Sequence, residues 1–141
     1  MSSFVYNAAK LGLLLDGFNL EEDDFKVALL GPGYTPDPDG QAFFSDISAE
    51  ASGTGYTAGG QSLQNAALVR DDANDRVLLS ADGLIWTVAT FVTKGALIYK
   101  SSGDPATSPL LAFIDFEEEL ECAGEDFVLQ WHENGILALG D

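Results

Sequence analysis

The chain reads as a single all-β domain, mainly antiparallel, of β-sandwich or jelly-roll-like architecture with a short helix near its start. Three observations predict this. Alternation of apolar and polar residues recurs through the second half, as in "LIWTVATF" (84–91) and "PLLAFIDF" (109–116), and a period of two marks a half-buried strand. Turn residues break the chain at short intervals, in "GPGYTPDPDGQ" (31–41), Asp82-Gly83, "SSGDPATS" (101–108) and Asn134-Gly135. Third, 46% of the 141 residues are hydrophobic, with nine Phe, four Tyr and two Trp, which is enough for one real core without metal or disulfide staples. About eight short strands and few helices suit a sandwich, jelly roll or small barrel. No linker and no repeat of fixed period appears, so residues 1–141 form one domain.

The elements follow in order. Phe4, Val5, Ala8, Ala9, Leu11, Leu14 and Leu15 recur at helical spacing, which predicts an amphipathic helix within a helical N-terminal segment 2–18. Ser2 or Ser3 would cap it and Gly17 would end it. "NLEEDD" (19–24) is a polar turn, and "FKVALL" (25–30) is a strand. Residues 31–44 form a long loop rich in Pro and Gly, and "FFSDISAEA" (43–51) gives a short helix or turn with Phe43, Phe44 and Ile47 inward. From Gly55 the pattern suggests one strand with a glycine kink, or two strands. "DRVLLSA" (75–81), "LIWTVATF", "ALIYK" (96–100) and "PLLAFIDFEE" (109–118) supply further strands. "EDFVLQWHENGILALGD" closes as a hairpin turning at Asn134-Gly135.

Charge excludes several functions. Six Lys plus Arg against 23 Asp plus Glu give −17, and the six cations are scattered. Binding to nucleic-acid phosphates or anionic lipid needs clustered cations. Neither partner is expected. No apolar run approaches the ~20 residues of a membrane-spanning helix, and Lys10 lies inside the first apolar segment rather than ahead of it, unlike a signal peptide. A soluble protein made in a cytoplasm is the expectation.

No catalytic constellation stands out, and no enzyme or cofactor is predicted. Cys122 is the sole cysteine and His132 the sole histidine. The acidic run around Cys122, "EEELECAGED", disfavours a thiolate. "DFEEELE" (115–121) singles out no acid–base pair of the kind glycoside hydrolysis needs; it reads as a solvated edge or loop. Asp71, Asp72, Asn74 and Asp75 are oxygen ligands of a type that suits Ca²⁺. Their spacing misses the EF-hand pattern, and a solvated turn with Arg70 and Arg76 offsetting the carboxylates is preferred. "SGTGYTAGGQ" (52–61) lacks the lysine, the following helix and the glycine spacing of a phosphate loop. Gly53 and Gly55 read as a turn, and Gly59 and Gly60 as a kink where another backbone comes close. Trp86, Trp131, Phe113 and Tyr99 fall on strand positions and read as core; a carbohydrate platform would need some of them exposed.

The segments "YNAAKLGLLLDG", "DFKVALL", "YTPDPD", "ISAEASGTGYTAGGQSL", "DDANDR", "WTVATF", "PLLAFIDF" and "GILALGD" run in this order along nearly the whole chain. Together they resemble a recurring structural protein of tailed-bacteriophage virions, and "SGTGYTAGG" followed by "DDANDR" is the most specific part. The resemblance implies a small β-rich accessory protein, a capsid decoration or cement protein on the head, made in the bacterial host cytoplasm and located on the capsid surface. The implied partners are the major capsid protein and further copies of the chain. A tail or fibre module that binds a host-surface glycan is the alternative. Phe4, Val5, Tyr6, Leu11, Tyr34, Phe43 and Phe44, from segments 2–18 and 31–44, are apolar side chains hard to place in a sandwich core, and they are the expected partner contacts.

Overall fold

The two longest strands pair with each other and form the spine of the molecule. The computed structural model describes residues 2–132 and 135–140. Over these the elements run β1 (Ser2–Val5), α1 (Asn7–Leu14), β2 (Phe25–Leu30), β3 (Gln61–Ser62), β4 (Ala67–Asp71), β5 (Arg76–Ser80), β6 (Leu84–Lys100), β7 (Leu110–Leu129) and β8 (Leu137–Gly140), with 3₁₀ turns at Phe44–Asp46 and Pro105–Thr107. A five-stranded sheet has the order β1-β7-β6-β2-β3, and a three-stranded sheet the order β4-β5-β8. All pairings are antiparallel. The all-β single domain is as the sequence predicts, although the five-plus-three division is not the pair of four-stranded sheets of a jelly roll.

The spine has two zones. In the base, residues 95–100 of β6 lie between β2 and the start of β7, and β1 adds outside β7. Residues opposite each other on an antiparallel ladder share a face. Ala28, Leu97, Phe113 and Phe4 therefore line one face, and Val27, Ile98, Ala112 and Val5 the other. Val27–Leu30, Ala96–Tyr99 and Leu110–Phe113 are all buried, so the base is covered on both sides. Tyr34 packs edge-on against Phe113 at 4.9 Å, and Phe4 against Tyr6 at the same distance. The three-stranded sheet joins this core through Leu79 of β5 and through Ile136, the residue before β8. Each buried large apolar side chain contributes roughly 1.5–3 kcal/mol.

In the distal zone, residues 84–93 of β6 pair with the remainder of β7, beyond the reach of β1 and β2. One face is buried. Trp86, Phe91, Phe116 and Phe127 form an aromatic cluster with Tyr56 at centroid distances of 5.5 to 6.4 Å. The Tyr56 hydroxyl donates to Glu50 Oε2 and accepts the Leu29 amide at 3.0 Å, tying this cluster to β2.

The structure corrects several expectations. Residues 2–5 are strand, because they find an edge at residues 112–115 of β7; the helix covers Asn7–Leu14 only, and Tyr6 stands at its N-cap without a side-chain cap. Asp16, at φ 62°, takes the left-handed position after the helix, and the Gly17 amide closes on Gly12 O at 2.7 Å. The stretch after Gly55 is not one kinked strand but two short ones, β3 (Gln61–Ser62) and β4 (Ala67–Asp71), the second of the two readings, with loop over residues 55–60. "LIWTVATF" and "ALIYK" fuse into β6, and "PLLAFIDFEE" and "EDFVLQ" fuse into β7 through the acidic run. The alternation breaks at a β-bulge between Trp86 and Ala89, where Val88 sits at φ 47°. This is why Trp86 and Phe91 share a face although they lie five positions apart. The last strand pairs with β5, not with the end of β7. Gly135 is at φ 86°, while Asn134 lies outside the described residues.

Candidate interaction surface

Helix α1 is short because its ends are set by Tyr6, still extended, and by left-handed Asp16. It docks by Ala9, which is buried, and by Gly12, where a Cβ would come within 2.8 Å of the Phe18 ring. Docking on that side turns the leucines outward. Leu11, Leu14 and Leu15 are 59%, 85% and 70% exposed, and nearby Phe43 is 41% exposed. Phe43 lines one side of a shallow groove of about 200 Å³, shared with Ala8 and Gly12 of α1, Phe18, Ala42 and Pro109 among others. Leu11 and Leu15 stand three residues on from Ala8 and Gly12, one helical turn along the same rim. An isolated exposed leucine is unremarkable, but a contiguous apolar patch marks a contact surface.

The charge distribution sets this patch apart. Residues 7–18 hold one Lys and one Asp, whereas residues 115–126 hold seven carboxylates, and no Lys or Arg occurs between 101 and 131. Self-repulsion and hydration are concentrated on β7 and are weak at α1, whose two charges cancel.

The seven expected contacts divide. Tyr6 and Tyr34 are core residues, joined hydroxyl to hydroxyl at 2.6 Å, and Tyr34 donates on to Gln41 Oε1 at 2.7 Å. Burial raises the pKa of both phenols above the ordinary tyrosine value. Phe4, Val5 and Phe44 are half-buried against the core, and Phe44 stacks on Tyr99 at 4.2 Å. For Tyr6 and Tyr34 the contact expectation is therefore corrected: each completes the covering of the base. Leu11 and Phe43 present their side chains outward. Leu14 and Leu15, the most exposed of the patch, belong to the helical spacing the sequence shows but are not among the seven expected contacts.

The glycine stretch is held against backbone. Gly53, Gly55, Gly59 and Gly60 all have positive φ, between 80° and 145°. A Cβ on Gly53 would lie 1.9 Å from Thr90 O, and one on Gly60 1.8 Å from Val27 O. On Gly55 it would lie 2.9 Å from Ala89 Cα, at the β6 bulge, and on Gly59 only 3.4 Å from the Tyr99 hydroxyl. The loop amides are engaged within the protein: Gly59 N donates to Glu50 Oε2, Gly60 N to Thr57 O and Tyr56 N to Gly53 O.

The acidic turn links β4 to β5. Asp71 accepts from Asn74 Nδ2 and Arg76 Nε, each at 2.9 Å, and these bonds hold its carboxyl below the usual carboxylate range, Asn74 contributing most. Asp72 pairs with Arg70 at 3.2 Å. No group of three or more His, Cys, Asp or Glu suited to a metal ion occurs among the described residues. The Cys122 thiol is raised by burial and then by Glu125, so it stays protonated at neutral pH. Trp86, Phe113 and Tyr99 are buried and Trp131 is half-buried, its indole N–H donating to Asp82 O at 3.0 Å. No helix among the described residues is long and apolar enough to cross a membrane. Comparison with protein-family models, with curated proteins and with solved structures returns no match.

Proposed function

We propose that this chain is a structural protein of a tailed-bacteriophage virion, a head decoration protein that seats on the major capsid protein. The observation that carries the reading is the exposed apolar face of α1 with Phe43, in a segment of no net charge in a −17 chain. The sequence resemblance points the same way. Seating would bury Leu11, Leu14, Leu15 and Phe43 against the capsid and leave the β7 carboxylates outward, hydrated and repelled by packaged DNA. The contribution is mechanical: added contact area bridging neighbouring capsid subunits. A repeated lattice supplies avidity, so each contact can be modest.

Copy number tests this. Densitometry of purified virions is expected to show on the order of hundreds of copies per particle, as a lattice requires, and Leu14→Glu with Leu15→Glu is expected to leave the protein folded and unbound from heads. A few copies per particle would favour a tail or fibre module, and absence from virions would overturn both readings.

A further inference from the structure

A second concave feature lies away from α1, on the β2–β6 side of the base. It is a cleft of about 350 Å³ between β2, the Phe44–Asp46 turn, the glycine loop and the 101–108 loop, within the roughly 300–1,000 Å³ of small-molecule sites. Its walls are fixed before any ligand arrives. Tyr99 donates to Gly59 O at 2.6 Å, and Glu50 Oε2 takes both the Tyr56 hydroxyl and the Gly59 amide. On the far wall Ser102, Asp104, Thr107 and Ser108 form a hydrogen-bonded set.

Three kinds of group remain to be used there. The ammonium of Lys26, half-buried in the lining, has no ion-pair or hydrogen-bond partner among the described residues, in a chain where acids outnumber cations 23 to 6. Glu50 Oε1 and Asp104 Oδ2 take part in no hydrogen bond among the described residues. The ring of Phe44, backed by Tyr99 at an interplanar angle of 11°, supplies a flat apolar wall. The mixture of signs selects the ligand. An anion attracted to Lys26 would face Glu50 and Asp104, and a cation attracted to them would face Lys26. Neutral hydroxyls donate to the carboxylates and accept from the ammonium at once, while the C–H face of a sugar ring suits an aromatic wall.

We infer that this cleft binds a neutral polyhydroxylated ligand of monosaccharide size, with Lys26, Glu50, Asp104 and Phe44 as its contacts. The inference does not depend on where in a virion the chain sits. It can be tested by titrating ¹⁵N-labelled protein with glucose, galactose, mannose and N-acetylglucosamine, and separately with sodium acetate and inorganic phosphate. At least one sugar is expected to give saturable, millimolar shifts of the Gly59, Ser101 and Gly103 amides. Lys26→Ala and Asp104→Asn should each weaken that binding about tenfold, as loss of one charge-assisted hydrogen bond does, with the remaining spectrum unchanged. Asparagine at 104 retains the acceptor for the Ala106 amide, so this variant guards against loss of the loop. The proposal is overturned if no sugar gives saturable shifts there, if both variants bind as the parent does, or if acetate or phosphate occupies the cleft in preference to every sugar.

Discussion

The base and the distal half of the β6–β7 pair belong to one ladder yet follow different rules. In the base, four consecutive residues of each strand are buried and the register holds from Gly95 to Ile98. In the distal half one face is open, the register slips at the Val88 bulge, and again where Asp115 and Leu120 oppose Gly95 and Thr93. Carboxylates crowd the same stretch. The difference teaches what flanking strands contribute. Where β1 and β2 both add to the pair, over Gly95–Ile98, both faces are covered and the ladder is regular; it slips between Ile98 and Tyr99, just past the end of β1. Where they stop, bulges and charge take over, and both discourage an open edge from pairing with other chains. The glycine loop supports the distal half instead of a strand, and its Gly53 and Gly55 lie against the slipped part of β6.

The largest expected effect breaks that support. Gly60→Val and Gly53→Val each place a side chain on a backbone oxygen under 2 Å away, and loss of folded protein is expected by circular dichroism. Gly59→Val meets only the Tyr99 hydroxyl at 3.4 Å, leaving mainly the strain of φ 94°; a milder loss is expected, and equal damage from all three would contradict the close-approach account. Next, Trp86→Ala empties the centre of the distal cluster and should cost about 3–5 kcal/mol in urea unfolding. One transition would show that base and distal half unfold together; two would separate them.

Val88→Gly sharpens the comparison in the opposite direction. A β-branched residue at φ 47° is a strained outlier, and its side chain is 64% exposed. Glycine should raise stability by up to about 1 kcal/mol, the relieved strain exceeding the added chain entropy. A fall in melting temperature would mean that the valine side chain itself holds the bulge. The smallest effect concerns acid. Asp46 accepts the Ala42 and Phe43 amides, each at 3.0 Å, and these bonds lower its pKa. Its contribution is therefore complete above the unfolded carboxylate value and is lost as pH falls through the lower folded value. Asp46→Asn should narrow the stability gap to the parent below about pH 4, as read by melts from neutral pH downward.

Much of the fold was legible in the sequence because strand alternation and turn chemistry are local. "FKVALL" and the Asp71–Arg76 turn stand where their residues place them. What was hidden is non-local. Ser2–Val5 look helical beside "NAAKLGLL" until β7 offers an edge. The acidic run 115–121 looks like a loop until Val92 and Thr93 pair with it. At the surface, periodicity marked Leu11, Leu14 and Leu15 as one helix face, but it could not tell the docked face from the open one. That was decided by Ala9 and Gly12, small residues with a weak hydrophobic signal.

Tyr56 joins these regions physically, with its ring 6.4 Å from Trp86 and its hydroxyl shared by Glu50 and the Leu29 amide. Trp86 is buried whereas the other indole, Trp131, is half-buried. The molecule thus carries its own optical gauge: the emission of a buried indole shifts to the red when water reaches it, and here that happens when the distal half lifts from the loop beneath it.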